Sequence, residues 1–317
     1  MYIGIDLGGT NIAAGVVDQN GKILHKDSVK TNADRHYSEI IKDMAELSKK
    51  VTLDAGFALE DVEWVGVGSP GTCDGENGIL VYANNLNFSQ VPMREEFQKH
   101  FQVPLYLAND ADCAAYGEAM AGNAKGTKSS VTVTLGTGVG GGIIIDSKII
   151  NGFNCAGGEL GHMIIMVDGE ECTCGKCGCW EAYASATALI RQTKAAMQAN
   201  PDSLMWKEAG SLEKVSGRTA FNAAKKGDAA GQGVVDRYLR YVAVGIMNIV
   251  TIFQPEKVLV GGGISNEGEY ILEPIRGYVR QYDYCKTEQH TKIEKAALGN
   301  DAGIIGGAFL GAQYAGK

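Results

Sequence analysis

The sequence predicts an α/β protein of two lobes with mixed sheets, and three observations carry that expectation. The 317 residues are about twice a typical domain length. A strand, a glycine turn and a second strand open the chain over residues 2 to 17, and the same order returns over 131 to 146, as in two related lobes with a ligand between them. Between and after these repeats, apolar residues recur at helical spacing.

Residues 2–6, 12–17 and 22–29 read as three β segments. They are joined by Gly8-Gly9 and by Gln19-Asn20-Gly21, where Asn-Gly tolerates the positive φ of a hairpin. Ile40, Met44, Leu47 and Val51 lay one apolar stripe along a helix over about 36–53. Residues 64–68 and 105–108 are strands, and the second runs into Asn109-Asp110, where a parallel strand presents ligand-binding groups. Strands at 130–135 and 143–146 flank a glycine turn at 136–142. Val235, Leu239, Val242, Ile246, Ile249 and Phe253 form a long buried helix stripe that ends at Gln254-Pro255. A strand over 257–260 leads into Gly261-Gly262-Gly263, and 301–314 is a final helix.

Composition removes several functional classes. With 45% hydrophobic and 21% charged residues the chain can bury a core, so disorder is excluded. Glycine is abundant at 43 residues against 6 prolines, which points to close backbone approaches rather than flexible linkers. The formal charge is −8, so neither nucleic acid nor an anionic membrane is an expected partner, and a polyanionic ligand must be held locally. The start carries no basic stretch followed by an apolar one, and the most apolar window, 241–253, is interrupted by Asn248 and falls short of a bilayer about 30 Å thick. A soluble cytoplasmic protein is expected.

In Asp6-Leu7-Gly8-Gly9-Thr10-Asn11, residues without Cβ let backbone approach a ligand, while Thr10 and Asn11 offer polar atoms and amides. Alone, this is equally an ordinary hairpin. The second turn, containing Thr137 and Gly138, repeats the arrangement, so a pair of phosphate cradles is the better reading. Neither turn continues as Gly-Lys-Ser/Thr, which excludes the P-loop. The second is followed by strand rather than helix, which demotes a dinucleotide fingerprint. Asp6 is a candidate magnesium ligand or a turn cap. Gly262 and Gly263 leave bare backbone for a flat adenine.

Four of the eight cysteines lie between Cys172 and Cys179, too crowded for independent disulfides. Cys172, Cys174 and Cys179 with His162 make a Cys3His zinc set, with Cys177 left over. A Cys174–Cys177 redox pair is the competing reading. A closed four-ligand site is structural, and it would fix the spacing of Glu159 and Glu181, whose carboxylates suit sugar hydroxyls. The second nitrogen of His162 could face the same substrate.

These residues carry a resemblance. DLGGT at 6–10, SPG at 69–71, AND at 108–110, LGTGVGGG at 135–142, GGELGH at 157–162, CTCGKCGCWE at 172–181, GGG at 261–263 and ALGNDAGIIGGA at 297–308 resemble the ROK family of sugar kinases, and within it the bacterial glucokinases. The resemblance runs end to end. It implies the two-lobed actin-like ATPase (ribonuclease H-like) fold and phosphorylation of glucose by ATP, with Mg2+ and a structural Zn2+. It also implies that Asp110 is the catalytic base and that Gly71, Asn85, Asn109, Glu159, His162 and Glu181 join it around the sugar. Asp6, Gly8, Gly9, Thr10, Asn11, Thr137, Gly138, Gly262 and Gly263 would bind the nucleotide and its metal. Without it, Asn109-Asp110 reads as a helix N-cap, a role compatible with catalysis.

Two departures stand out: Cys177 is surplus to the family's loop, and Asn84-Asn85-Leu86 replaces Pro-Asn-Leu, with register favouring Asn85. The family frame also admits mannose, fructose or an N-acetylhexosamine as substrate. It includes sugar-responsive repressors too, but a first strand beginning at residue 2 leaves no segment for a DNA-reading domain. The expected lobes are 1–110, with the helix 302–317 packed back on it, and 111–301, carrying the zinc loop and adenine site. A homodimer or homotetramer is expected from the resemblance.

Overall fold

The structure is a computed structural model that describes residues 1–285, 287 and 289–314. Strands β1 (Tyr2–Leu7), β2 (Asn11–Val17) and β3 (Ile23–Lys30) form an antiparallel meander, with Ile5 opposite Ala14. Helix α1 (Tyr37–Asp54) buries Ile40, Met44, Leu47 and Val51, the stripe its spacing predicts. Strand β4 (Trp64–Ser69) pairs in parallel with β1. A separate three-stranded antiparallel sheet follows, β5 (Thr72–Asp74), β6 (Ile79–Ala83) and β7 (Phe88–Val91), then the short helix α2 (Met93–Gln98). The sequence reading has no counterpart for this sheet. Its strands are three to five residues long, and their buried side chains, Leu80 with Ala83 and Phe88 with Val91, fall three apart rather than two, so no alternation registers. Strand β8 (Leu105–Asn109) completes the first sheet, of order β3-β2-β1-β4-β8, and helix α3 (Asp110–Met120) begins at once.

Strands β9 (Ser129–Leu135), β10 (Val139–Ile145) and β11 (Lys148–Ile149) open a second five-stranded sheet. The helices α4 (Glu181–Ala184), α5 (Ala186–Ala199), α6 (Leu204–Ala209), α7 (Thr219–Lys225) and α8 (Ala229–Phe253) come next. Strand β12 (Lys257–Gly261), helix α9 (Glu269–Tyr282) and strand β13 (Lys292–Lys295) complete the sheet, in the order β11-β10-β9-β12-β13. Helix α8 is the spine of this region. It buries Val235, Leu239, Val242, Ile246 and Ile249 and packs on α5, α7 and α9.

The chain closes with α10 (Ala302–Tyr314), which lies on β1 and β4. Small residues make this seat possible: a Cβ at Gly4 would fall 1.7 Å from the Ile304 carbonyl oxygen and one at Gly66 1.9 Å from that of Gly307. The Trp64 indole N–H donates to the Ala308 carbonyl at 2.7 Å, locking the register. Residues 315–317 of the expected helix lie outside the described residues.

Two compact units emerge: one formed by Met1–Thr132, Gly141–Gly158 and the chain from Ala296 onward, the other by Val133–Gly140 and Glu159–Lys295. This differs from a boundary at 110. Helix α3 belongs to the first unit because it packs on α10, where Glu118 Oε1 also accepts the Leu298 N–H at 2.7 Å.

Candidate active site

In the first unit, Asn109 caps α3, its Oδ1 accepting from Ala111 N at 2.8 Å while its Nδ2 donates to the Gly71 carbonyl at 3.0 Å. Gly71 has φ 91°, and a Cβ there would collide with the Tyr82 carbonyl oxygen at 2.0 Å, so only glycine fits. Asp110 follows, Oδ1 accepting from Ala111 N at 2.8 Å. Its carboxylate reaches solvent, yet protein fills most of the surrounding volume. That desolvation, partly offset by the Ala111 hydrogen bond, holds it above the ordinary carboxylate range. Asp6, at the end of β1, is pushed up to about 6, first by burial and then by the charge of Asp110. Among the described residues Asp6 caps no turn amide. Beside it, Gly8 N–H donates to the Asn11 carbonyl at 2.9 Å to close the first glycine turn. Asn85 lies in a single 3-10 turn over Asn84–Leu86, with its backbone oxygen 3.4 Å from where a Gly9 Cβ would be. Asn84 is engaged by the Tyr82 hydroxyl at 3.2 Å. The first unit thus gathers Asp6, Gly8, Gly9, Thr10, Asn11, Gly71, Asn85, Asn109 and Asp110 around one end of its parallel strands.

In the second unit the turn between β9 and β10 closes when Gly136 N–H donates to the Gly138 carbonyl at 3.0 Å. Glu181 Oε2 accepts the Val139 N–H at 2.8 Å, and a Cβ at Gly138 would meet that oxygen at 2.2 Å. Gly262 has φ 79° and lies against the end of β9, its would-be Cβ 2.4 Å from the Leu135 carbonyl oxygen, while Gly263 faces open space.

His162, Cys172, Cys174 and Cys179 offer ligand atoms that all lie within 4.8 Å of one another. Cys177 stands outside this quartet, exposed, in a bridge opposite Glu171. His162 ends a 3-10 turn begun at Leu160, and its N–H donates to the Glu159 carbonyl at 3.0 Å. Behind the loop, the fully buried Trp180 donates its indole N–H to the Tyr241 carbonyl of α8 at 2.8 Å. Burial and neighbouring sulfurs push the Cys179 thiol up to about 12. Three thiolates this close are compatible with one another beside a cation, so the donor set fits a tetrahedral zinc ion. Glu181 Oε1 is 3.9 Å from Cys172 Sγ, so one carboxylate touches both the quartet and the glycine turn.

Two side chains on the turns have no signal in the sequence. Thr31 Oγ1 donates to the Gly8 carbonyl at 2.6 Å and Thr187 Oγ1 to the Thr137 carbonyl at 2.8 Å. Each lies more than twenty residues from its partner, beyond any motif spacing.

The ROK family model matches residues 2–313. The chain belongs to the ROK family. This ROK protein is 37% identical over 309 residues to the glucokinase of Thermotoga maritima, covering 97% of this chain and 96% of that one. It is similar, at 34% identity and a TM-score of 0.80, to the crystal structure of a ROK family glucokinase from Streptomyces griseus in complex with glucose and AMPPNP, covering 98% and 99% of the two chains. A ROK family transcriptional regulator homologous to the E. coli MLC protein is similar at a TM-score of 0.85 and 26% identity, this chain covering 77% of it. The ROK protein has the two-lobed actin-like ATPase fold and is a homologue of sugar kinases along nearly its whole length. No helix among the described residues is long and apolar enough to cross a membrane.

Proposed function

We propose that the protein is a glucokinase, transferring the γ-phosphoryl group of ATP to the 6-hydroxyl of glucose to give glucose 6-phosphate for glycolysis. The observation that carries this reading is Asp110, a desolvated carboxylate at the end of a parallel strand beside the first glycine turn. Its raised pKa makes it a better proton acceptor than a free aspartate. Asp110 orients the hydroxyl and takes its proton as the sugar oxygen bonds to phosphorus and the bond to the bridging oxygen breaks.

By the family resemblance, Gly71, Asn85, Asn109, Glu159, His162 and Glu181 would hold the other sugar hydroxyls. Gly8, Gly9, Thr10, Asn11, Thr137 and Gly138 hold the phosphates, and Gly262 and Gly263 receive adenine. Asp6 would hold Mg2+, which supplies charge neutralisation on the phosphates; its elevated pKa marks a carboxylate that gains from a cation. His162, Cys172, Cys174 and Cys179 would hold a structural Zn2+ that keeps Glu181 in place. The unpaired cysteines suit the cytoplasm, and the resemblance favours a homodimer or homotetramer.

A coupled ATP assay over glucose, mannose, fructose and N-acetylglucosamine tests the reading. Glucose should give the highest kcat/KM. A higher value for another hexose would transfer the assignment to that sugar, and absence of turnover with specific, salt-sensitive DNA retention would favour a regulator.

A further inference from the structure

Both glycine turns share a device. In a trans peptide the carbonyl of one residue and the N–H of the next point in opposite directions, and no cis bond occurs among the described residues. In the first turn the Thr31 hydroxyl holds the Gly8 carbonyl inward at 2.6 Å, which turns the Gly9 N–H outward. In the second, Ala186 N–H holds the Gly136 carbonyl and the Thr187 hydroxyl the Thr137 carbonyl, each at 2.8 Å, which turns the Thr137 and Gly138 N–H groups outward. The remaining amides of the second turn are engaged, Gly136 by Gly138 and Val139 by Glu181. The N–H groups of Gly9, Thr137 and Gly138 donate to no protein group among the described residues. Outward amides on a glycine turn are what a phosphate oxygen needs.

We propose that Thr31 and Thr187 are positioning residues for phosphate binding, each hydroxyl pinning a turn carbonyl so that the following amide, Gly9 or Gly138, is aimed at a phosphate oxygen of ATP. The inference rests on the kinase reading above.

Thr31→Val and Thr187→Val remove the hydroxyl and keep the shape; the serine variants keep the hydroxyl. With Mg-ATP as the probe in titration calorimetry, and with glucose in steady-state assays, each valine variant should raise the Kd and KM for ATP roughly 3- to 10-fold, the weight of one hydrogen bond. The KM for glucose should stay near wild type, and serine should restore ATP affinity. Thr187 is exposed, so its variant tests the idea without disturbing the core; Thr31 is buried, and its serine variant separates the hydroxyl from packing. Valine variants that bind ATP as tightly as wild type, or serine variants that fail to restore it, would overturn the inference while leaving the kinase reading intact. Wild-type protein that neither binds ATP nor phosphorylates any hexose would overturn both.

Discussion

At Gly8–Asn11 the turn is held by Thr31, a fully buried residue just after β3. At Gly136–Val139 it is held by Glu181, Ala186 and Thr187, which follow the last cysteine of the quartet. The first turn inherits its shape from an apolar sheet. The second depends on a polar loop whose clustered thiols fit a cation. With zinc in the proposed quartet, one backbone arrangement would rest on the hydrophobic core in one unit and on a metal in the other, and the two should fail under different stresses.

The largest effect is expected on the core-supported side. In the proposed mechanism Asp110→Ala removes proton acceptor and positioner together, and it should lower kcat/KM at least ~10²-fold in the coupled assay. For the intact enzyme the acid limb of the kcat/KM profile should lie above the ordinary aspartate value of about 3.9, because desolvation raises the Asp110 pKa. Metal removal should strike the other side alone. A strong chelator, or Cys174→Ala, should lower the thermal midpoint and weaken both ATP and glucose binding on the order of 10-fold or more, because Glu181, which holds the glycine turn, would lose its support. Hydrogen exchange would sharpen the contrast, with protection lost around residues 133–187 and retained in β1 and β2.

A smaller effect separates the two roles of Glu181. Glutamine keeps an acceptor for Val139 N–H and alanine does not. ATP KM should therefore rise several-fold more in Glu181→Ala than in Glu181→Gln, whereas glucose KM rises in both. Asp6 gives a pH signature to the first turn. Its folded pKa is raised, so the stability of its neutral form is fully present below the unfolded value near 3.8 and is lost as pH rises through about 6. Asp6→Asn should accordingly raise the thermal midpoint of the ligand-free protein at pH 7 and leave it unchanged below pH 4, at the expense of Mg-ATP use. The smallest effect belongs to Cys177→Ser. That thiol stands outside the quartet, and metal content, stability and kinetics should match wild type.

The clustering of His162, Cys172, Cys174 and Cys179 was legible because the four residues fall within eighteen positions, with glycines that let the loop fold back. The meander, α1 and α8 were legible because each follows a single hydrophobic period over many residues. Asn109 was read both as cap and as site residue, and it makes the cap hydrogen bonds while fixing Gly71. The sheet of β5, β6 and β7 was not legible, because β5 is three residues long and the buried positions of β6 and β7 fall three apart instead of alternating. The extent of the first unit past residue 110 was hidden for another reason: α3 finds its partner in α10, about 190 residues later, and no local pattern encodes that pairing. Thr31 and Thr187 escape notice in the same way.

The seating of α10 on Gly4 and Gly66 has a consequence for biosynthesis. Strands β1 and β4 leave the ribosome well before α10, the helix that covers them, is translated. The intervening residues, 159–295, can complete their own unit first, while the opening sheet waits for its cover. Nascent chains halted before residue 302 should therefore protect α8 from proteolysis and leave β1 susceptible.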